Sequence, residues 1–416
     1  MADRTEGRGV WSRGYRAEGS HGDNPGSLWV LLVGNYPLDR QESMQRFALM
    51  MMDGLEKRGV SVGLLCPMVT LGTRGASTVT GFGKWLGYID KYLLFPRRLR
   101  RHIDALKKDA RTAGADGGPA QLVIHICDHS NAMYTSSTRS VPCVVTCHDL
   151  LAVRGAMGED TDCPATWAGK LLQRWIVKGL SRAAMVASVS TATMHDVERI
   201  VKLSADGGRS CRVLSGLNYE FKILPPGVAE ARLQAAPIAG RPFVLHVGSN
   251  LRRKNREGIL RIFAKIADRW DGVLVFAGQG LSPELRAMAD ALKIGARVLD
   301  VPKPDGAVLE ALYNRAMALL FPSRFEGFGW PIIEAQACGC PVICSDSGPL
   351  PEVAGDAGLV FPVADEDGFA SAILRLADPV ERAEWVRRSS ENVRRFSTER
   401  MIDDYIRIYH KVSGRI

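Results

Sequence analysis

The stretch ALLFPSRFEGFGWPIIEAQACGCPVICSD, residues 318–346, places two short apolar runs around a glycine-containing loop and a helix-length segment. ALLFPS (318–323) and PVICSD (341–346) lack the polar alternation of a half-exposed strand, which is typical of strands buried on both faces. Because a helical connection between two such strands sets them parallel, this stretch predicts a parallel α/β sheet. The loop at 324–329 then follows the carboxyl end of its strand, where such sheets bind ligands.

The same alternation of strand and helix occurs twice along the chain. It runs from SLWVLLVGNYP (27–37) to a Pro-Pro-Gly turn in ILPPGV (223–228), and it restarts at RPFVLHVGSN (241–250). This predicts two doubly wound α/β domains, residues 27–230 and 238–394, with the cleft between them as the ligand site.

Composition agrees with a two-domain globular protein. The chain has 416 residues, 46% of them hydrophobic and 24% charged, and no apolar run long enough to span a membrane. Residues 1–26 have no apolar segment of the kind that a secretory signal requires, and their Gly, Arg and Ser content predicts a disordered tail.

The nine cysteines are scattered, and the spacing of Cys338, Cys340 and Cys344 does not match a zinc site. We interpret them as buried thiols of a reducing, cytoplasmic compartment.

Most of the net charge of +9 comes from one segment. Residues 84–111 contain nine Lys or Arg and three Asp. Two interpretations of residues 82–111 remain open: a helix that contacts anionic lipid at the inner face of the membrane, or a solvated helix pair on its own domain. A nucleic-acid partner is not expected, because no recognised binding fold accompanies the charge.

The loop at 324–329 combines phosphate-binding and hydroxyl-binding groups. The backbone N–H groups of Phe328, Gly329 and Trp330 stand at a helix N-terminus, which favours phosphate. Glu326 in the loop and Glu334 in the first turn of the helix would both face the cleft and accept hydrogen bonds from hydroxyls. Together these groups predict a sugar-nucleotide site. The alternative is a helix-start glutamate and a solvated loop glutamate.

The stretch FPSRFEGFGWPIIEAQACGCPVICSDSGPLPEVAGDAGLVF closely resembles the signature of retaining glycosyltransferases of family four. VTCHDL, VGSNLRRKN, VFAGQG and LYNRAMALLFPS extend the resemblance, in register, from residue 27 to the C-terminus. It implies the GT-B fold, with two Rossmann-like, doubly wound parallel-sheet domains facing a central cleft. It also implies a nucleoside-diphosphate sugar as donor and no cofactor or metal.

The resemblance assigns roles to residues of the second domain. Arg253 and Lys254 match the basic pair at the donor diphosphate, although the neighbouring Arg252 could take the place of Arg253. Glu334 matches the glutamate at the ribose, and Glu326 the one at the transferred sugar. Phe328 and Gly329 match the backbone donors to the sugar and the phosphate. Gly278 and Gly280 match the glycines that lie beside the nucleotide base.

In the first domain, His148 of CHDL matches a histidine that faces the donor sugar. Asp149 would brace that loop and orient His148, while Asp128 and His129 would meet the acceptor. The sequence departs from relatives at Ser249, where some have arginine, and in NYPLDRQESM, which lacks their glycine-rich turn. Residues 395–416 resemble the terminal helix that returns to the first domain in GT-B proteins.

The expected activity is therefore retaining transfer of a sugar to an acceptor hydroxyl, in cell-surface glycan, glycolipid or polysaccharide synthesis. The RKN form of the basic motif favours a mannosyltransferase slightly. Two alternatives stay open: a sugar-nucleotide epimerase or hydrolase, and a catalytically silent sugar-nucleotide-binding subunit.

Overall fold

The computed structural model shows two α/β domains and a C-terminal helix that returns to the first of them. The residues that it describes are 28–39, 41–71, 82–112, 120–138, 141–203, 208–236, 238 and 240–414. The tail predicted at residues 1–26 lies outside the described residues.

The first domain is one sheet of six parallel strands in the order β2-β1-β3-β4-β5-β6, with helices on both faces. The strands are β1 (Leu28–Val33), β2 (Ser61–Leu65), β3 (Gln121–Ile126), β4 (Cys143–Cys147), β5 (Met185–Ser188) and β6 (Ser210–Arg212). The helices are α1 (Glu42–Lys57), α2 (Phe82–Ile89), α3 (Phe95–Thr112), α4 (Leu151–Ala156), α5 (Trp167–Leu180) and α6 (Thr191–Val201).

The second domain repeats this architecture with the order β12-β11-β10-β7-β8-β9. Its strands are β7 (Phe243–Gly248), β8 (Val273–Gly278), β9 (Val298–Pro302), β10 (Ala318–Phe321), β11 (Val342–Ser345) and β12 (Gly358–Phe361). Its helices are α7 (Val228–Arg232), α8 (Arg256–Ala264), α9 (Pro283–Ala291), α10 (Gly306–Arg315), α11 (Trp330–Ala337), α12 (Leu350–Ala354), α13 (Glu366–Arg375) and α14 (Pro379–Asn392).

The position of strand β10 in the sheet explains why its sequence does not alternate between apolar and polar residues. Leu319 and Phe321 belong to the apolar core on one face of the sheet, and Ala318 and Leu320 to the core on the other. All four are fully buried. The prediction of a doubly wound parallel sheet in each half is confirmed, because both faces of each sheet are covered by helices.

The final helix, α15 (Thr398–Val412), packs on the first sheet and not on the second. Tyr409 shares a hydrogen bond of 2.7 Å with Nδ1 of the buried His125 of β3. Thr146 of β4 connects His125 Nε2, at 2.8 Å, to the Tyr405 hydroxyl, at 2.7 Å. The helix is therefore joined to the sheet by a buried polar chain as well as by apolar contacts.

The basic segment also lies on its own domain. Helices α2 and α3 join through a single π-helical turn, Asp90–Leu94. The apolar side of α3 is buried in the first core through Phe95, Leu99 and Ile103, so its basic side faces outward. Within the described ranges, no helix is long and apolar enough to cross a membrane.

The strand orders decide where ligands can bind. In the second sheet the chain runs from β7 to one side and returns to β10 on the other, so the loops after β7 and β10 leave a gap. In the first sheet the same reversal occurs between β1 and β3. The predicted site residues lie on loops at these two positions.

Candidate functional site

The loops after β7 and β10 meet in a cluster of three charged side chains. Lys254 Nζ lies 2.6 Å from one oxygen of Glu326, and Arg253 Nη1 lies 2.9 Å from the other. Asn255 makes this meeting possible, because it adopts a left-handed conformation with φ 54° and donates from Nδ2 to Pro322 O at 3.0 Å. Two predicted donor-binding cations thus share one carboxylate.

Burial and pairing act against each other in this cluster. Burial lowers the pKa of Lys254, and the charge of Glu326 raises it in return. Burial alone would raise the pKa of Glu326, but Lys254 and Arg253 hold it below its ordinary value. The cluster therefore carries one net positive charge at the switch point, which suits a diphosphate.

The structure separates the two adjacent arginines. Arg253 points inward to Glu326. Arg252 is largely exposed, and its Nε lies 3.4 Å from Asp162 of the first domain. Arg253 is thus the arginine that pairs with Glu326, and Arg252 contacts the opposite domain.

Glu334 lies in the second turn of α11, not the first, because the helix begins at Trp330. Its carboxylate accepts a hydrogen bond of 2.8 Å from the Tyr313 hydroxyl. Burial raises the pKa of Glu334 to about 7. Sequence reasoning missed Tyr313, although it lies in the quoted motif LYNRAM.

The N-terminus of α11 is shaped by Gly329, whose φ of 108° is unfavourable for any other residue. The side chain of Phe328 is buried and packs against Phe396. The indole of Trp330 donates to Gly216 O in the interdomain connection at 3.3 Å. The side chains of Phe328 and Trp330 therefore hold the loop in place, while the predicted contribution to the ligand comes from backbone N–H groups.

His148 lies where the two domains touch. Its Nε2 is 2.9 Å from Cys127 O, and Phe47 packs edge-on at 4.9 Å between ring centroids. Burial lowers the pKa of His148, which favours the neutral ring. Because a carbonyl can only accept, Nε2 carries the proton, and Nδ1 is left as an acceptor for a ligand hydroxyl.

Gly327 is the residue of the second domain that contacts the backbone of His148. A Cβ at this position would lie 2.1 Å from His148 O, so only glycine permits the contact. The Gly327 carbonyl accepts from Ser190 Oγ at 3.0 Å and Thr193 Oγ1 at 3.2 Å. The donor-side loop is thereby placed against the His148 loop.

Asp128 and His129 lie at the switch point of the first sheet. Asp128 accepts from Asn35 Nδ2 at 2.6 Å and from the backbone N and Oγ of Ser130 at 3.0 and 2.6 Å. His129 Nδ1 lies 3.2 Å from the same carboxylate. Burial lowers the pKa of His129, but the bond and charge of Asp128 raise it overall. Asp128 is thus engaged by three neighbouring residues, Asn35, Ser130 and His129.

Asp149 braces its loop by accepting from Leu151 N at 3.0 Å. The predicted orientation of His148 by Asp149 is not what the structure shows, because the bond that holds the ring goes to Cys127 O.

Gly278 and Gly280 end β8 beside the loop that follows β7. Gly278 has φ 108°, and a Cβ there would lie 2.6 Å from Gly248 O, whereas a Cβ at Gly280 would lie at an ordinary contact distance of 3.9 Å from Asp300 Oδ2. The buried Arg256 holds these loops together by donating to Gly248 O and Gln279 O, both at 2.7 Å. Sequence reasoning missed Arg256, although it directly follows the RKN motif.

Two further findings concern the cysteines and metal ligands. All nine cysteines are free thiols. Across the described part of the chain, no three His, Cys, Asp or Glu side chains come together as a metal site would require.

The second domain is similar in sequence to a known family of proteins. The family described as glycosyl transferases group 1 matches residues 229–392. The O-antigen chain mannosyltransferase B of Escherichia coli is 29% identical over 252 residues, which cover 58% of this chain and 64% of that protein. Alignments with this and two further curated relatives span 62% to 65% of the relatives' length, less than two thirds.

Two solved structures share the fold over nearly the whole chain. Sucrose-phosphate synthase (tll1590) from Thermosynechococcus elongatus has a TM-score of 0.68 and 22% identity, covering 93% of this chain and 99% of that one. Anabaena Alr3699/HepE in complex with UDP and glucose has a TM-score of 0.66 and 14% identity, covering 91% and 98%.

Two facing Rossmann-like domains, with a lysine, arginine and glutamate cluster at the second switch point, define a protein of the GT-B class. Its second domain, over residues 229–392, matches the family of glycosyl transferases group 1.

Proposed function

We propose that the protein is a retaining glycosyltransferase that moves a sugar from a nucleoside-diphosphate sugar to an acceptor hydroxyl. The observation that carries this proposal is the partly buried cluster of Lys254, Arg253 and Glu326. Gly327, next to Glu326, contacts the backbone of His148 in the other domain. A positive cluster at a switch point, with hydroxyl-binding groups around it, fits a sugar attached to a diphosphate.

The proposed roles follow from the geometry. Lys254 and Arg253 stabilise the negative charge on the departing diphosphate, without a metal, and Glu326 orients both cations beside the sugar. Glu334 accepts hydrogen bonds from the ribose, and Nδ1 of His148 accepts one from a sugar hydroxyl.

Retention follows if the acceptor attacks from the side of the leaving group. The bond from the anomeric carbon to the diphosphate oxygen breaks, and a bond to the acceptor oxygen forms on the same face. The acceptor proton passes to the departing phosphate, so no protein base is required. The protein contributes positioning and charge stabilisation.

The substrate class is a proposal of its own. The RKN motif and the likeness to the E. coli mannosyltransferase support a mannosyl donor in cell-surface glycan or glycolipid synthesis. Because the structurally similar Anabaena Alr3699/HepE was solved in complex with UDP and glucose, the donor test also includes UDP and its sugar conjugates. Contact with an anionic membrane near residues 82–111 belongs to the same proposal.

A thermal-shift panel with UDP, GDP, ADP and their sugar conjugates tests the donor site. A nucleotide at about 100 times its dissociation constant should add about 2.7 kcal/mol of stability. The shift should disappear in Lys254→Ala and persist in Arg252→Ala, because Arg252 points away from the cluster. If no nucleotide shifts folded wild-type protein, the proposal is wrong.

Acceptor dependence separates the proposed activity from an epimerase or hydrolase. Nucleotide release from the selected donor should be slow alone and should rise when glycan or lipid-linked acceptors are added. Equal release with and without every acceptor would favour hydrolysis, and isomerised donor would indicate an epimerase.

A further inference from the structure

The outward side of α5 carries a surface that the proposed chemistry does not use. Trp167 is 76% exposed, Leu171 44% and Trp175 39%, and they recur every fourth residue along the helix. Basic residues fill the positions between them, so one side of the helix presents, in order, Trp167, Lys170, Leu171, Arg174, Trp175 and Lys178. We call these six residues the α5 outer face.

The apolar part of this face continues onto the turn between α2 and α3. The rings of Trp175 and Tyr92 lie 5.4 Å apart. Beside Tyr92, Ile89, Leu93 and Leu94 are 37%, 49% and 39% exposed. Clustered exposed apolar side chains of this size mark a contact surface, whereas single ones are ordinary.

The charge around the α5 outer face has one sign. Residues 163–195 contain four Lys or Arg and no Asp or Glu. Lys170, Arg174 and Lys178 are exposed and, among the described residues, form no ion pair. This differs from α14, where Arg387 and Arg388 pair with Glu384 of their own helix.

We propose that the α5 outer face, together with Ile89, Leu93 and Leu94, docks the protein on an anionic lipid bilayer. Tryptophan and leucine enter the headgroup boundary while lysine and arginine side chains reach the lipid phosphates. The positive charge of the α5 outer face is complementary to the negative surface of such a bilayer. A protein partner would need acidic groups matched to these cations, and a second copy of this face would bring like charges together.

The position of α5 ties docking to the cleft. Asp162, which contacts Arg252 of the donor-side loop, precedes Trp167 by five residues. The chain between them spans at most about 18 Å. A bilayer that holds Trp167 therefore lies beside the cleft mouth, where a lipid-anchored acceptor could enter. This last step rests on the proposed sugar transfer, and the docking extends the membrane contact proposed near residues 82–111 to a defined surface.

Vesicle flotation with the full chain tests the docking. The wild-type protein should float with phosphatidylcholine vesicles that contain about one third phosphatidylglycerol. It should remain largely unbound with phosphatidylcholine alone, and high salt should weaken the binding. If the protein does not float with anionic vesicles, the proposal is overturned.

Matched variants identify the surface. The triple change Lys170→Gln, Arg174→Gln, Lys178→Gln should weaken partitioning roughly a hundredfold, from the usual contribution of each cation near an anionic surface. Trp167→Ala with Leu171→Ala should also reduce it. Two controls on the second domain replace an exposed cation, in Arg269→Gln, and an exposed apolar residue, in Val380→Ala. Both variants should float like the wild type.

Two further readouts keep the outcome interpretable. If Trp167→Ala converts a dimer into a monomer and leaves flotation unchanged, the face is a contact between copies and the proposal is wrong. Nucleotide thermal shifts should be equal in wild type and α5 variants, because these residues lie outside the donor site. Lost nucleotide binding with intact flotation would refute the proposed function alone.

Discussion

Glu334→Gln should stabilise the ligand-free protein, and the gain should grow with pH. Burial raises the pKa of Glu334 from 4.5 to about 7, so the folded state favours the protonated acid. A group of this sign contributes stability at low pH and loses it as the pH rises through about 7. The shift corresponds to about 3.4 kcal/mol when the carboxylate is fully ionised, and to about 2.5 kcal/mol between pH 5 and pH 8.

Glutamine keeps an oxygen that can accept the bond from Tyr313 but carries no charge. We therefore expect the difference in unfolding free energy between Glu334→Gln and wild type to increase by about 2.5 kcal/mol from pH 5 to pH 8. Urea unfolding at the two pH values measures it.

Glu326→Gln is the matched control, because Lys254 and Arg253 hold the pKa of Glu326 low. Removing that carboxylate should destabilise the protein at pH 8. An equal difference at both pH values for Glu334→Gln would refute the reasoning. In the nucleotide thermal-shift assay, Glu334→Gln should lose affinity even while it gains stability.

Three further substitutions test residues that support the structure around the candidate site. Burial lowers the pKa of His125 from 6.5 to about 3, so its contribution is lost as the pH falls below 6.5. From pH 7.5 to 5.5 wild type should lose about 1.4 kcal/mol more than His125→Gln in urea unfolding; equal slopes would contradict this. Arg256→Lys should cost about 2 kcal/mol and weaken nucleotide binding, because lysine cannot reach both loop carbonyls; an unchanged melting temperature would disprove the role. Gly327→Ala should fold but lose activity, since its Cβ would meet His148 O, while Gly280→Ala has room; similar activity of the two variants would argue against close domain contact.

Several features of the fold were predictable from local patterns. The apolar runs around residues 318–346 indicate strands buried on both faces, and the Ser282-Pro283 pair is typical of a helix start, where α9 indeed begins. Helix ends were less predictable. The amphipathic pattern of NREGILRIFAKIADRW predicts a helix over 255–270, but α8 ends at Ala264.

In the candidate site, too, some features were predictable from the sequence and others were not. The motifs predicted a basic pair and two glutamates near one cleft, and the structure brings Lys254 and Glu326 together across 72 positions of sequence. Motifs did not indicate that both cations share Glu326, or that Asp128 accepts three hydrogen bonds and also lies 3.2 Å from His129 Nδ1.

Residue order along the chain was enough to predict the parallel sheets, the two halves and the glycine-rich loop, because these depend on neighbours within one strand or helix. Packing between distant segments decided that Arg253 and not Arg252 pairs with Glu326, that burial raises the pKa of Glu334, and that α3 turns its apolar side inward while α5 leaves Trp167 outside. Desolvation and ion pairing depend on what surrounds a side chain in three dimensions, and a linear pattern does not contain that information.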